Sequence, residues 1–237
     1  GLFSAFITEP PRSTYHDPVT GKEIRSGPIA DIHTLEPVSA HIRGSFREVM
    51  MHIMDSNART AELITTDNPQ ARMNAVTVDG PPSHQFPEKI NKSAMWFLNG
   101  GEATTGSGYG MRVEPLSVRL ANNPDPSKLF VSGIHGDPGT PLLRAYLGDP
   151  IMVRALVGSA NEVHTWHVTG HWFPMERYGK DAMPRSTVHL VIGERYDPAI
   201  PAAGGPQKQA GDYLYYSGRA SHFAEGSWGI FRVFDEL

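Results

Sequence analysis

The stretch VHTWHVTGH, residues 163–171, places three histidines, His164, His167 and His171, within eight positions. A neutral imidazole is a good ligand for copper, zinc or iron, and among the divalent ions copper binds nitrogen sites most tightly. A complete metal site normally needs three or four ligands, so further donors must come from elsewhere in the chain. His222, in GRASHFAEGSWG, is the best placed of them. If residues 161–173 form a strand, alternation sends His164, Trp166 and Val168 to one face and His167, Thr169 and His171 to the other. One strand would then serve two sites on opposite faces. The alternative is that the three are structural histidines, hydrogen-bonded beside Trp166 and Trp172, and spacing alone leaves both readings open.

The elements that would position these residues are strands. The chain has 237 residues, 24 Gly and 20 Pro, and few clean helical stretches, which favours a turn-rich β protein. FREVMMHIMD alternates with Val49, Met51 and Ile53 on one face, a pattern of core packing for the methionines rather than copper handling. MNAVTVDG and AMWFLNG end in Asp-Gly and Asn-Gly turn signals. LLRAYLGDPIMVRALVG reads as two strands split at Gly148-Asp149-Pro150, and STVHLVIGERYD, GDYLYYSG and SWGIFRVFD complete the set. LFSAFITE reads as one more strand, followed by a Pro/Gly-rich surface connection over residues 10–28. PLSVRLANN is the one candidate helix. The glycine-rich segment around Gly106, Gly108 and Gly110 reads as a flexible loop, because neither the strand before nor the helix after a phosphate loop is in place.

Composition excludes several classes. Net charge is −4 with scattered basic residues, so there is no nucleic-acid footprint, and the longest apolar runs are too short to span a bilayer. Cysteine is absent, which removes disulfides, thiolate metal sites and cysteine nucleophiles from this chain. There is no Gly-x-Ser-x-Gly elbow and no pair of acids placed across a substrate, so no catalytic residue is assigned.

With the strands laid out, the sequence resembles the multicopper oxidases, specifically the C-terminal cupredoxin domain of a large bacterial, manganese-oxidase-like member. The penultimate copper motif of that family runs His-x-x-His-x-His-Gly-His. HTWHVTGH matches it at His164, His167, Gly170 and His171, and departs at Thr169. The last motif runs His-Cys-His, three residues, His, three residues, Gly, then Met or Leu. In YSGRASHFAEGSWGIFRV, His222 and Gly226 match, while Tyr216, Ser217 and Gly218 stand where His, Cys and His belong, and Ser227 holds the axial position.

The resemblance implies that His164 and His222 derive from a type 1 copper site and His167 from the trinuclear cluster, with His171 not a ligand. It also implies that this domain's copper sites are degenerate. Ser217 supplies no thiolate, and Thr169, Tyr216 and Gly218 supply no imidazole. What remains is a two-nitrogen remnant, His164 with His222. A third ligand such as His135 or a water would complete a type 2-like copper, or the pair is empty and hydrogen-bonded to Ser217.

The implied fold is all-β, a cupredoxin-like Greek-key β-sandwich over residues 28–237 with an insertion around 55–110. Residues 1–27 are the last strand of a preceding cupredoxin domain plus a linker. GLFSAFITEP parallels GSWGIFRVFD, which puts Leu2 at an axial position beside a copper of that preceding domain. Gly1, with no initiator Met or signal peptide before it, predicts a processed, truncated or partial chain. The partner expected is the set of upstream N-terminal cupredoxin domains, as a separate or cleaved chain carrying most of the copper.

The parent assembly would take single electrons from a small molecule or metal ion and reduce O₂ to water, in the periplasm or outside the cell. This chain would serve mainly as structural support. The other readings are a non-enzymatic cupredoxin-like scaffold and a type 2 copper protein using His164, His167 and His222. Strand alternation counts against that trio.

Overall fold

A computed structural model describes residues 5–25, 27, 29–54, 108–110, 115–159, 163–191, 193–224 and 226–235. In chain order the strands are β1 (Thr14–His16), β2 (Ile29–His33), β3 (Phe46–Met54), β4 (Gly108–Gly110), β5 (Leu143–Tyr146), β6 (Ile151–Ser159) and β7 (His164–Val168). They continue as β8 (Phe173–Pro174), β9 (Pro184–Arg185), β10 (Thr187–Leu190), β11 (Arg195–Tyr196), β12 (Ala199–Ile200), β13 (Gly211–Tyr216) and β14 (Trp228–Phe234). Among the described residues three short α-helices join them: α1 (Leu116–Asn122), α2 (Ser132–His135) and α3 (Ala220–Ala224).

The first sheet runs β1-β2-β3-β6-β11, with β12 also on β6 and β4 on β3. The second runs β10-β7-β13-β14-β5. Each contains a parallel pair, β3 with β6 at the centre of the first and β14 with β5 at the edge of the second, so the chain crosses between sheets instead of folding as simple hairpins. Val49, Met51 and Ile53 of β3 and Ile151, Val153, Ala155 and Val157 of β6 meet Trp166, Val168, Leu190, Tyr215, Phe231 and Val233 of the opposite sheet. The expected β-sandwich is therefore the observed fold, with one core between two sheets.

The outer face of the first sheet is also covered. Ala30, Ile32, Phe46 and Met152 pack there against Val38 and Ile42 of the loop that precedes β3. This second layer explains why β6, and Val49–Met51 within β3, carry apolar residues on both faces.

Three expectations change. The described part of LFSAFITE, residues 5–9, joins no sheet, and Phe6 is exposed. The connection after it contains β1, whose Thr14, Tyr15 and His16 pair with His33, Ile32 and Asp31; three residues among prolines and glycines are too few to show a period. Gly108–Gly110, expected as a loop, pairs in parallel with His52–Met54, and glycine has no side chain through which to announce a strand. The expected helix is present as α1. The proposed strands in MNAVTVDG and AMWFLNG lie outside the described residues.

Candidate functional site

Strand β7 sits between β10 and β13, with His164 opposite Leu190, and Val168 and His167 opposite Tyr215 and Tyr216. Trp166 and Val168 point into the core, so His164 shares the inner face and is fully buried. His222 lies on α3, in the loop from β13 to β14. That loop is closed at its base by Ser217 N–H donating to the Ser227 carbonyl (2.9 Å) and Ser227 N–H donating to the His222 carbonyl (2.8 Å). The closure carries His222 over the edge of the core, where its ring centroid lies 5.1 Å from that of His164 at an interplanar angle of 44°.

Ser217 sits beside both elements. Its hydroxyl is 3.3 Å from His222 Nδ1 and 3.3 Å from Thr165 Oγ1, which in turn accepts from Gly218 N–H. His164, Ser217, His222 and Ser227 are each at most 1% exposed. Among the described residues the Ser227 hydroxyl has no hydrogen-bond partner, so hydrogen bonding does not fully satisfy the buried polar cluster.

These residues do not fit a type 1 copper. The position between the imidazoles offers a hydroxyl instead of a thiolate, and one nitrogen of His222 is already engaged by it. Among the described residues no group of three or more His, Cys, Asp or Glu could hold a metal. His135 does not join the pair: it ends α2, with Nδ1 3.3 Å from the Asn122 amide nitrogen.

His167 faces away from His164, as alternation requires. Its Nδ1 lies 2.6 Å from Thr187 Oγ1 and its ring packs tilted against Tyr216, 4.8 Å between centroids at an interplanar angle of 54°. Tyr216 continues this contact to Phe223 at 4.9 Å. A cluster of tilted rings thus occupies the outer face of β7 and β13 where the resemblance would place two imidazole ligands. Burial pushes the His167 ring below the usual histidine range, so it remains neutral at pH 7.

His171 lies beyond β7, in a turn rather than in the strand. Its Nδ1 donates to the Thr169 carbonyl (2.9 Å), and its Nε2 accepts from Gly204 N–H (2.9 Å), which fixes the neutral tautomer. Both ring nitrogens serve the backbone, and desolvation lowers its proton affinity against the pull of the Thr169 carbonyl. The turn depends on Gly170, at φ +67°, where a Cβ would lie 2.7 Å from Tyr213 Cε1.

A second polar cluster gave no motif. On the outer face of the first sheet, Arg154 of β6 meets Glu48 of β3 at 2.7 Å, Glu9 at 2.5 Å and Asp197 at 3.0 Å, and Arg177 reaches Asp197 at 3.2 Å. Arg154, Glu48 and Glu9 are all buried. The available signal was a charged residue on the otherwise uncharged outer face of each of two strands, Glu48 in FREVMMHIM and Arg154 in IMVRALVGS. Close by, Glu194 accepts from Val191 N–H (2.9 Å) in a turn, and Asp197 pairs with the two arginines.

No family model matches the chain, and no curated protein matches it. Among solved structures it is similar to a blue copper oxidase from Nitrosomonas europaea, at 22% identity over 40% of this chain and 30% of that one, with a TM-score of 0.31. It is similar as well to a multicopper oxidase from Aquifex aeolicus, at 21% identity over 39% and 21% of the two chains, TM-score 0.32. A copper-containing nitrite reductase from Thermus scotoductus SA-01 matches at 17% identity over 38% and 21%, TM-score 0.29. In each case well under two thirds of the neighbour's length is spanned. No helix among the described residues is long and apolar enough to cross a membrane.

Proposed function

We propose that this chain is the C-terminal part of a multicopper oxidase-type copper oxidoreductase, which takes single electrons from a substrate and reduces O₂ to water. Within it the chain serves mainly as structural support. The observation that supports this most directly is the meeting of two motifs distant in sequence: the HTWHVTGH strand and the SHFAEG loop bring His164 and His222 to a 5.1 Å ring separation, with Ser217 where the motif expects cysteine. Residues 28–237 form the supporting domain, and residues 1–27 complete a preceding cupredoxin domain and link to it. Copper is bound mainly in the upstream domains, on a separate or cleaved chain, in the periplasm or outside the cell.

A second reading is a non-enzymatic scaffold, favoured by the lack of any three-ligand group among the described residues. A type 2 copper on His164, His167 and His222 has less support, because His167 is turned to Thr187 and Tyr216. Anomalous scattering at the copper edge, on crystals of the chain with its natural partner, separates the three. Peaks only in the partner are the result expected. A peak between His164 and His222 would replace support with a type 2-like site, and no copper anywhere would leave the scaffold.

A further inference from the structure

Arg47, Arg154 and Arg232 present the edge formed by Nε and Nη2 to carboxyl groups. Arg47 gives both donors to Asp31, at 2.6 and 2.9 Å, and Arg232 gives both to Asp212, at 2.7 and 2.9 Å. That is the bidentate fit of one carboxylate to one fork. Arg154 differs: Nε donates to Glu48 (2.7 Å) and Nη2 to Glu9 (2.5 Å), so two carboxyl groups occupy an edge shaped for one. They are forced side by side in a buried place, and the second oxygen of Glu9 has no hydrogen-bond partner. A buried carboxylate oxygen facing another carboxyl gains a partner only if the pair holds a proton.

Charge gives the same answer. Two carboxylates and Asp197 against Arg154 and Arg177 would leave one uncompensated buried negative charge, and one shared proton makes the cluster neutral. Among the described residues the other ionisable groups near Glu48 are Tyr15 from β1, held neutral by its raised pKa, His52, on the same face further along β3, and Arg195 of β11, which lines the neighbouring cavity with Arg154. None of them supplies the missing positive charge inside the cluster, since burial keeps His52 neutral and Arg195 is exposed to water.

We propose that Glu9 and Glu48 share one proton on the Nε/Nη2 edge of Arg154, and that this proton latches residues 5–10 onto the outer face of the first sheet. Glu9 is the anchor of that segment: it alone among residues 5–9 is buried, and no residue there belongs to a sheet. An open cavity of about 510 Å³ lies alongside, between Ile7, Thr8, Met50, Leu156 and Arg177, so water reaches the segment as soon as it lifts. Loss of the proton sets two carboxylates against each other and releases the segment. Burial and the Glu9 carboxyl push Glu48 up to about 7 against the pull of Arg154, which places the release near neutral pH. The latch is independent of copper. If residues 1–27 do belong to a preceding domain, it also sets how firmly that domain docks.

The test is a pH titration of the full chain with ¹³C-labelled isoleucine δ1 methyls, following Ile7. The expected result is movement of the Ile7 methyl from a docked to a solvent-like position, the docked-to-free ratio falling roughly tenfold to a hundredfold between about pH 5 and 8. Glu48→Gln should abolish the transition and hold Ile7 docked, because the amide donates to Glu9 at every pH. An Ile7 methyl that stays put in the wild type, or moves equally in Glu48→Gln, overturns the latch. Should that variant not fold, Glu9→Gln serves in its place: loss of the transition supports the shared proton, and a surviving midpoint near neutrality overturns it.

Discussion

Between His164 and His222, one atom decides the chemistry. Ser217 Oγ is a neutral hydroxyl at pH 7, able to hydrogen-bond His222 Nδ1 but unable to form the Cu–thiolate bond on which a type 1 site depends. The rest of the pocket is buried and polar, so Ser217→Cys is a nearly isosteric change that adds the missing ligand. The variant is expected to take up one copper per chain with an intense visible thiolate-to-copper absorption, while the wild type stays colourless in the same titration. A colourless Ser217→Cys protein that is folded would show that the two imidazoles are held too far from a shared metal position. This pairing was legible from the motif resemblance, because the residues lie on different elements and no local period links them. The fate of His167 was legible only in part. Alternation put it on the opposite face, but that Tyr216 packs against it required knowing that β7 and β13 are neighbours.

At the scale of the elements, β13 and β14 hold the site loop, and their contact depends on a missing side chain. Gly229 lies opposite Tyr215, and a Cβ there would fall 2.2 Å from the Tyr215 ring carbon and hydroxyl. Tyr215 is fully buried and its hydroxyl donates to the Pro141 carbonyl, so the ring cannot swing aside without breaking that bond. Gly229→Ala should lower stability by about 1–3 kcal/mol through overpacking, read as a lower urea midpoint at an unchanged m-value. An unchanged midpoint would mean that the strands separate easily, and that the loop carrying His222 is less firmly placed than described. Strands such as β3, β6 and β14 could be read directly, because apolar runs between turn signals leave few alternatives. β1 and β4 could not: a three-residue edge strand and a Gly-Tyr-Gly segment take their conformation from the neighbour they pair with, which is tertiary information.

For the whole molecule, two sets of buried groups pull the pH dependence of stability in opposite directions. His52, His167 and His171 have proton affinities lowered by burial, so the stability they give is present above about pH 6.5 and is lost as pH falls toward their folded values. Glu48 runs the other way. Its carboxyl rises from 4.5 to about 7 on folding, so its contribution is complete at low pH and is lost as pH climbs through that interval. A shift of that size bounds the Glu48 effect at about 3 kcal/mol. The two windows overlap below about pH 6.5, and the slopes oppose each other there. Wild-type urea midpoints should therefore change less across this range than either slope alone would make them. Glu48→Gln removes one slope and leaves the histidines, so its midpoint should rise steadily with pH over the same interval. His171→Phe keeps a ring in the core but has no titrating nitrogen. It should be less stable throughout and should tilt the opposite way, falling as pH rises. Parallel profiles for all three proteins would sink the account, because they would show that neither burial nor the crowding of Glu9 and Glu48 on Arg154 perturbs these groups in the folded chain.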